Sequence, residues 1–366
     1  MFFAVQASGR HGAAGRMTMD LSRTIAALAV GASLSGGCGF ADDTEFQTAV
    51  PTTKQTTIPV PGPDGKTSAM SYLPVGVGVE ESALVGSQSE YYSITWGISA
   101  QINFSAAELL GLLHLIVTLP PTTRTANGRT WGPYTPGGLD PLTYRTEVTR
   151  TAPGAYTYSI DARLKSQTKE TDFVPLLDGV FTRGTAAGTG KGSMTLHFDN
   201  RRTLRADACE VGTVVGLFDD TAQPATLDVT FKQFANDNPN NILCKKDMPA
   251  DAQYHFDQTL DGAGNFQFKL IANANKPEQN KPLFETSTIR SRWRADGTGR
   301  SDVRIEGGEV ATDLAALNLG QSYVSAAQCW DSAFLTTWET STPSQLNLIT
   351  TAGDATKCAF AELPPQ

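Results

Sequence analysis

Cys38 stands after an apolar run, residues 25–34, and the small residues Ser35, Gly36 and Gly37. That order suits transfer of lipid onto a cysteine thiol. A short n-region with Arg23 comes first, then a stretch well short of the roughly 20 residues that span a bilayer, then small residues at the cleavage point. The expectation is a lipidated Cys38 that holds the protein to a membrane. Ordinary secretory cleavage nearby is the alternative, because Ser35 stands three residues before the cysteine, where lipoprotein signals usually carry Leu. Residues 17–37 read as the signal peptide, and residues 1–16 as a mis-assigned start, since Met17 or Met19 gives a normal signal length. Acyl chains that bury about 0.8 kcal/mol per methylene make such an anchor permanent. The expected location is the cell envelope, at the outer membrane, facing the periplasm or the exterior.

Four further cysteines remain once Cys38 is reserved for lipid: Cys209, Cys244, Cys329 and Cys358. An even set in an oxidising compartment suits two disulfides. Three pairings are possible, and the neighbours Cys209–Cys244 and Cys329–Cys358 are expected; buried free thiols are the alternative. No CxxC spacing occurs and the chain has four histidines in all, so no metal site and no cofactor are expected.

Other chemistry-bearing patterns are weaker. The stretch 184–193, GTAAGTGKGS, resembles a phosphate loop, but Gly192 follows Lys191 where Ser or Thr is required, and a strand follows in place of a helix. It reads as a glycine-rich hairpin. The stretch 296–302, DGTGRSD, has Thr298 and Arg300 where calcium ligands belong, and it too reads as a hairpin turn. There is no GxSxG and no HExxH. His197 and His255 fall on polar strand faces, and His114 lies in an apolar helix, where one hydrogen-bond partner satisfies a neutral imidazole. Arg290, Arg292 and Arg294 share one face of a strand, opposite Asp302, Arg304 and Glu306. Cross-strand ion pairing on a solvated face explains them, and a rim for an anionic headgroup is the functional alternative. Trp131, Tyr134 and Tyr144, near Gly-Pro turns, have the surfaces to stack on a sugar or to pack a loop.

The body that positions these groups is acidic. Net charge is −8, and removing residues 1–37 takes away three arginines and one aspartate, moving it to −10. That sign argues against nucleic acid as a partner and against electrostatic docking on anionic lipid. Charged residues are only 18% while Gly and Thr are frequent, as in β-rich extracytoplasmic proteins. Residues 38–80 read as the lipidated cysteine and a flexible tether, rich in Thr and Pro with apolar residues one at a time. Residues 81–366 read as a single globular domain.

That domain contains one clear helix. Ser105 to Glu108 has capping-box spacing, the leucine-rich run to Leu119 follows, and Pro120-Pro121 ends it. Apolar residues surround the cylinder, so it is expected to be buried on nearly every side. Before it, residues 91–102 alternate like a strand and also carry a helical stripe of Tyr91, Ile94, Ile98 and Ile102. From Tyr144 onward the alternation is β. Turn residues at 153–154, 199–200, 261–264 and 296–297 separate about ten strands with no helix between them. The fold class expected is mainly β: an antiparallel meander curved into a half-barrel or open barrel around the apolar helix, with α+β as the variant.

Pro120-Pro121-Thr122, Thr130-Trp131-Gly132-Pro133, the stretch Leu139 to Arg145 and Cys329-Trp330-Asp331 resemble a group of uncharacterised myxobacterial lipoproteins over most of residues 85–360. The resemblance implies a helix before Pro120 and brings no assigned activity or functional residue. In architecture the chain is also loosely similar to half-barrel carriers of lipids or lipoproteins.

Two functions follow as expectations. One is a non-catalytic envelope lipoprotein, either structural or holding an apolar ligand such as a lipid in a cavity lined by Tyr156, Tyr158, Phe231 and Phe268. If the helix fills that cavity, the carrier fails and the structural role survives. The other is a secreted hydrolase, which requires His, Asp, Glu or Ser to converge in a cleft with perturbed pKa values.

Overall fold

The computed structural model describes residues 43–62, 85–137, 140–238, 241, 244, 249–273, 281–346 and 351–363. Cys38, the expected signal peptide at residues 17–37 and residues 1–16 lie outside the described residues.

Fifteen strands form one open antiparallel sheet in which every strand pairs with its sequence neighbours. They are β1 (Thr123–Arg124), β2 (Gly128–Tyr134), β3 (Leu142–Ala152), β4 (Ala155–Leu164), β5 (Val174–Arg183), β6 (Gly190–His197), β7 (Glu210–Asp219) and β8 (Ala225–Asn236). Then come β9 (Ala250–Gln258), β10 (Gly264–Ala272), β11 (Glu285–Trp293), β12 (Gly299–Gly307), β13 (Tyr323–Trp330), β14 (Thr336–Thr342) and β15 (Ala352–Gly353). The expected mainly β meander is present. Its strand count is higher than about ten, and two short helices interrupt it: α3 (Phe198–Leu204) and α4 (Val310–Ala316). The expected turn at Asp199-Asn200 is the first turn of α3, where Asp199 accepts from Gly212 N at 2.8 Å and Asn200 donates to Pro175 O at 2.8 Å.

Residues 91–102 belong to a single helix, α2 (Glu90–Val117), that passes without a break through residues 105–108. Its cap is Ser89, which accepts from Tyr92 N at 3.2 Å. The residues that mimic strand alternation fit a helix because their hydroxyls bond back one turn. Ser93, Thr95 and Ser99 donate to the carbonyls of Ser89, Tyr91 and Thr95 at 2.8, 2.8 and 2.7 Å. Thr95 and Ser99 are thereby buried without an orphan hydroxyl. The expectation of all-round burial is corrected in part: Leu115 is 41% exposed and Gly111 faces solvent, because α2 lies across the sheet and is not enclosed by it. Among the described residues no helix is long and apolar enough to cross a membrane.

The core sits between the inner face of the sheet and α2. One apolar cluster runs from Phe46 to Phe334 and includes Tyr156, Phe181, Tyr254 and Trp293. On β4 the buried set is Tyr156, Tyr158, Ile160 and Ala162, which is the period of two read from the sequence.

The tether is corrected for residues 43–62. They form α1 (Asp43–Gln47) and a 3-10 turn (Thr53–Thr56), with Phe46, Ala49, Val50, Ile58 and Val60 at most 2% exposed. Such a stretch cannot order itself, but single apolar residues suffice when they dock on a core that already exists. The folded body therefore includes residues 43–62.

Candidate functional site

The inner face is the place where this fold holds its large side chains, and two elements occupy it. α2 reaches across from one flank of the sheet to the other. At its start, Ser89 Oγ and Tyr91 N both donate to Gln328 Oε1, at 3.0 and 3.1 Å, and Thr95 Oγ1 lies 2.5 Å from Ser291 Oγ. At its end, Trp131 Nε1 donates to Leu119 O at 2.7 Å.

Residues 43–62 run along the hairpin end of the sheet as a floor. Asp43 accepts from the fully buried Arg129 at 2.6 Å and pairs with Arg124 at 2.8 Å. Glu45 accepts from the Tyr156 hydroxyl at 2.8 Å and pairs with Arg150 at 3.1 Å. These donors hold both carboxyls below their ordinary range: for Asp43 the Arg124 hydrogen bond leads, and for Glu45 the Tyr156 hydroxyl leads. Arg129 also lies over the Phe46 ring at 4.3 Å. Further along, Gln55 donates to Asp220 at 3.2 Å. The Asn103 side chain of α2 brackets Ile58 by accepting from its N–H at 2.7 Å and donating to its carbonyl at 2.8 Å. Tyr92 closes the run by donating to Pro61 O at 2.6 Å.

The four residues proposed to line a cavity do not share one. Tyr156, Tyr158 and Phe268 are 2, 2 and 5% exposed and packed in the core. Tyr158 donates to Ser193 O at 2.8 Å, and burial pushes its phenol far up, so it stays neutral. Phe231 is partly buried and lines a separate cleft of about 300 Å³ with Thr230, Lys232, Gln233, Asp251 and Lys269. A bulge between Phe231 and Phe234 opens this cleft, and Gln233 takes a left-handed φ of 48° there. Asp251 holds it by accepting from Gln233 N at 2.8 Å.

Both expected disulfides are formed, Cys209–Cys244 and Cys329–Cys358. The first links the segment before β7 to the loop after β8. The second roots the carboxy-terminal residues on β13.

No family model, curated protein or solved structure matches this chain.

The three described histidines have separate partners. His114 Nε2 lies 2.9 Å from Pro51 O. His197 pairs with Asp178, and His255 with Asp228 at 2.7 Å, both on the outer face of the sheet. The buried hydroxyls Thr95, Ser291 and Ser301 bond to one another and to backbone, with no imidazole or carboxylate among their partners. Trp131 is fully buried, so it packs a loop and does not present a stacking face. Among the described residues no group of three His, Cys, Asp or Glu is arranged to hold a metal.

The arginine face departs in part from expectation. Arg292 makes one long cross-strand pair with Asp302 at 4.0 Å, but Asp302 is held more closely by Arg300 at 2.6 Å, and Arg304 pairs with Glu306 along its own strand at 2.7 Å. Arg290, Arg292 and Arg294 also donate to carbonyls of the carboxy-terminal segment, which supplies acceptors at the spacing of the arginines.

One feature escaped the sequence reading: Gly264, Trp293, Gly299 and Trp330 form a row across four strands, each glycine in register with a tryptophan. The signal was present as Asp261-Gly262-Ala263-Gly264 and Asp296-Gly297-Thr298-Gly299, the same DGxG turn twice.

Proposed function

We propose that this chain is a non-catalytic lipoprotein of the cell envelope whose folded body is a structural or docking element. The observation that carries this reading is the occupied inner face. α2 and residues 43–62 fill it, and three of the four side chains expected to line a ligand cavity are at most 5% exposed. That packing favours the structural role over the apolar-ligand carrier.

Support for the compartment comes from the signal-like residues 17–37, Cys38 at their end, and the pairing of the other four cysteines. A hydrolase of the Ser–His or Cys–His kind requires its base beside its nucleophile, and none of His114, His197 and His255 has a serine or cysteine as its hydrogen-bond partner.

Mass spectrometry of organic extracts from protein purified out of an envelope tests the reading. A blank over several preparations is expected, together with an acylated amino terminus at Cys38 and release of a Cys38→Ser variant from membranes. A stoichiometric lipid in the extract overturns the structural role in favour of the carrier. Residues 1–37 intact on soluble intracellular protein overturn the envelope location.

A further inference from the structure

Asp43, the first residue of α1, stands five positions after Cys38. Five residues reach at most about 18 Å when fully extended. Asp43 is itself a fixed point. It pairs with Arg124 of β1 at 2.8 Å and with the buried Arg129 of β2 at 2.6 Å, and the next turn of α1 is tied down where Arg183 of β5 donates to Glu45 O. Whatever holds Cys38 therefore holds the folded body closely.

That fixed point lies at the end of the sheet where tight turns join the strands in pairs. Glu45 is held by Arg150 and Tyr156, one on each side of the turn between β3 and β4. Gln55 donates to Asp220 in the turn between β7 and β8 at 3.2 Å. Leu260 projects from the next turn along, between β9 and β10, and is 88% exposed. The turn that carries it is firmly made. Thr259 Oγ1 and Ala263 N both donate to Asp261 at 2.5 and 3.2 Å, and Trp293 Nε1 donates to Gly262 O at 3.1 Å. Val85 and Leu335, at the turn between β13 and β14, add apolar surface to the same end.

Exposure by itself does not choose an end, because Leu317, which follows α4 at the opposite end, is also exposed. The reach of the anchor does choose. β12 has nine residues, about 30 Å of strand at roughly 3.3 Å each, which exceeds the span from Cys38 to Asp43. A bilayer that holds Cys38 is thus drawn to the turns, and the loops beyond the far ends of the strands stand away from it.

We propose that the turn end of the meander, led by Leu260, lies against the lipid surface, with the opposite loops directed away from the membrane. The inference rests on acylation of Cys38 as proposed above and adds which surface of the body meets lipid.

The test uses the acylated full chain in phosphatidylcholine vesicles that contain nitroxide-labelled lipid, since Asp220, Asp261 and Asp296 in these turns repel an anionic surface. Leu260→Cys and Leu317→Cys each supply one thiol outside the disulfides for a fluorophore. Quenching several-fold stronger at 260 than at 317 is expected. Amide hydrogen exchange on the unsubstituted chain is a second readout should a thiol variant misfold. Exchange at residues 259–263 is expected to be slower on vesicles than in a soluble Cys38→Ser variant, with residues 317–322 unchanged. Equal quenching at both positions, stronger quenching at 317, or unchanged exchange at 259–263 overturns the orientation. Mass spectrometry of the same sample reads the anchor separately. Acyl chains on Cys38 with no preference for 260 remove this inference alone, whereas a bare Cys38 removes the anchor that both readings need.

Discussion

The Trp330 ring lies against Gly299, in register on the neighbouring strand, while its indole N–H donates to Gly297 O at 2.9 Å. Trp293 repeats the arrangement over Gly264 and donates to Gly262 O at 3.1 Å. Each tryptophan thus covers the glycine of one strand and ties down the turn that precedes it.

A side chain at residue 299 has no room. A Cβ there meets Trp330 Cζ2 at 2.3 Å and the backbone oxygen of Arg292 at 2.5 Å. Gly299→Ala is expected to destabilise the protein by about 1–3 kcal/mol. Trp330→Phe keeps an aromatic ring but loses the hydrogen bond, leaving the Gly297 carbonyl short of a donor, at about 1 kcal/mol or more. Urea midpoints of the two variants check both values.

The floor segment is expected to carry stability that no tether carries. Phe46 and Ile58 are fully buried. Phe46→Ala should cost about 3–5 kcal/mol and Ile58→Ala about 2–5 kcal/mol, measured by equilibrium unfolding. Effects near zero for both would show that residues 43–62 do not belong to the core.

Acid should loosen the same segment. Asp43 and Glu45 ionise more readily in the folded chain than at their ordinary 3.8 and 4.5. Their stabilisation is complete above those ordinary values and is lost as pH falls through the lower, folded ones. Asp43→Asn takes the Asp43 carboxylate away from the buried Arg129 and should cost about 1–3 kcal/mol near neutral pH. The value is below that of a fully buried pair because Asp43 keeps some solvent. Thermal melts of the variant and the wild type should converge in acid.

Glu339 should behave in the opposite sense. It is buried, and desolvation raises its carboxyl against the hydrogen bond from Gln328 Nε2 at 3.1 Å. A folded-state pKa above the unfolded one means the carboxylate costs stability above the folded value, and the cost fades as pH falls toward 4.5. Glu339→Gln is expected to raise stability at neutral pH by on the order of 1 kcal/mol and to change nothing in acid.

The two disulfides close loops of 35 and 29 residues. In the chain-entropy description each contributes roughly 3–4 kcal/mol. Reduction should therefore lower the denaturation midpoint in two separable steps, which Cys209→Ser/Cys244→Ser and Cys329→Ser/Cys358→Ser variants resolve individually.

Much of the architecture is legible in local pattern. The period of two on β4 and β9 is dictated by one buried and one solvated face, and Gly-containing turns mark the hairpins. Cysteine pairing followed because near neighbours in a meander stay near in space. Three features were not legible. The length of α2 depended on hydroxyls that bond back to their own helix, so Ser93, Thr95 and Ser99 looked like the polar side of a strand. The floor at residues 43–62 has too few apolar residues to order alone and is fixed by acceptors and donors from 31 to more than 100 positions away, as in Tyr92 with Pro61 and Glu45 with Tyr156. Arg290, Arg292 and Arg294 were matched to carboxylates of the next strand, yet only the folded chain brings its own end onto them as further acceptors.

Composition and periodicity alone determine that this chain is an antiparallel meander around an apolar helix, because burial of one strand face is a local property. Only the tertiary structure decides that the inner face is filled and the outer arginines are covered. Both outcomes depend on segments that gain their order from contacts far along the chain, and no window of sequence contains those partners.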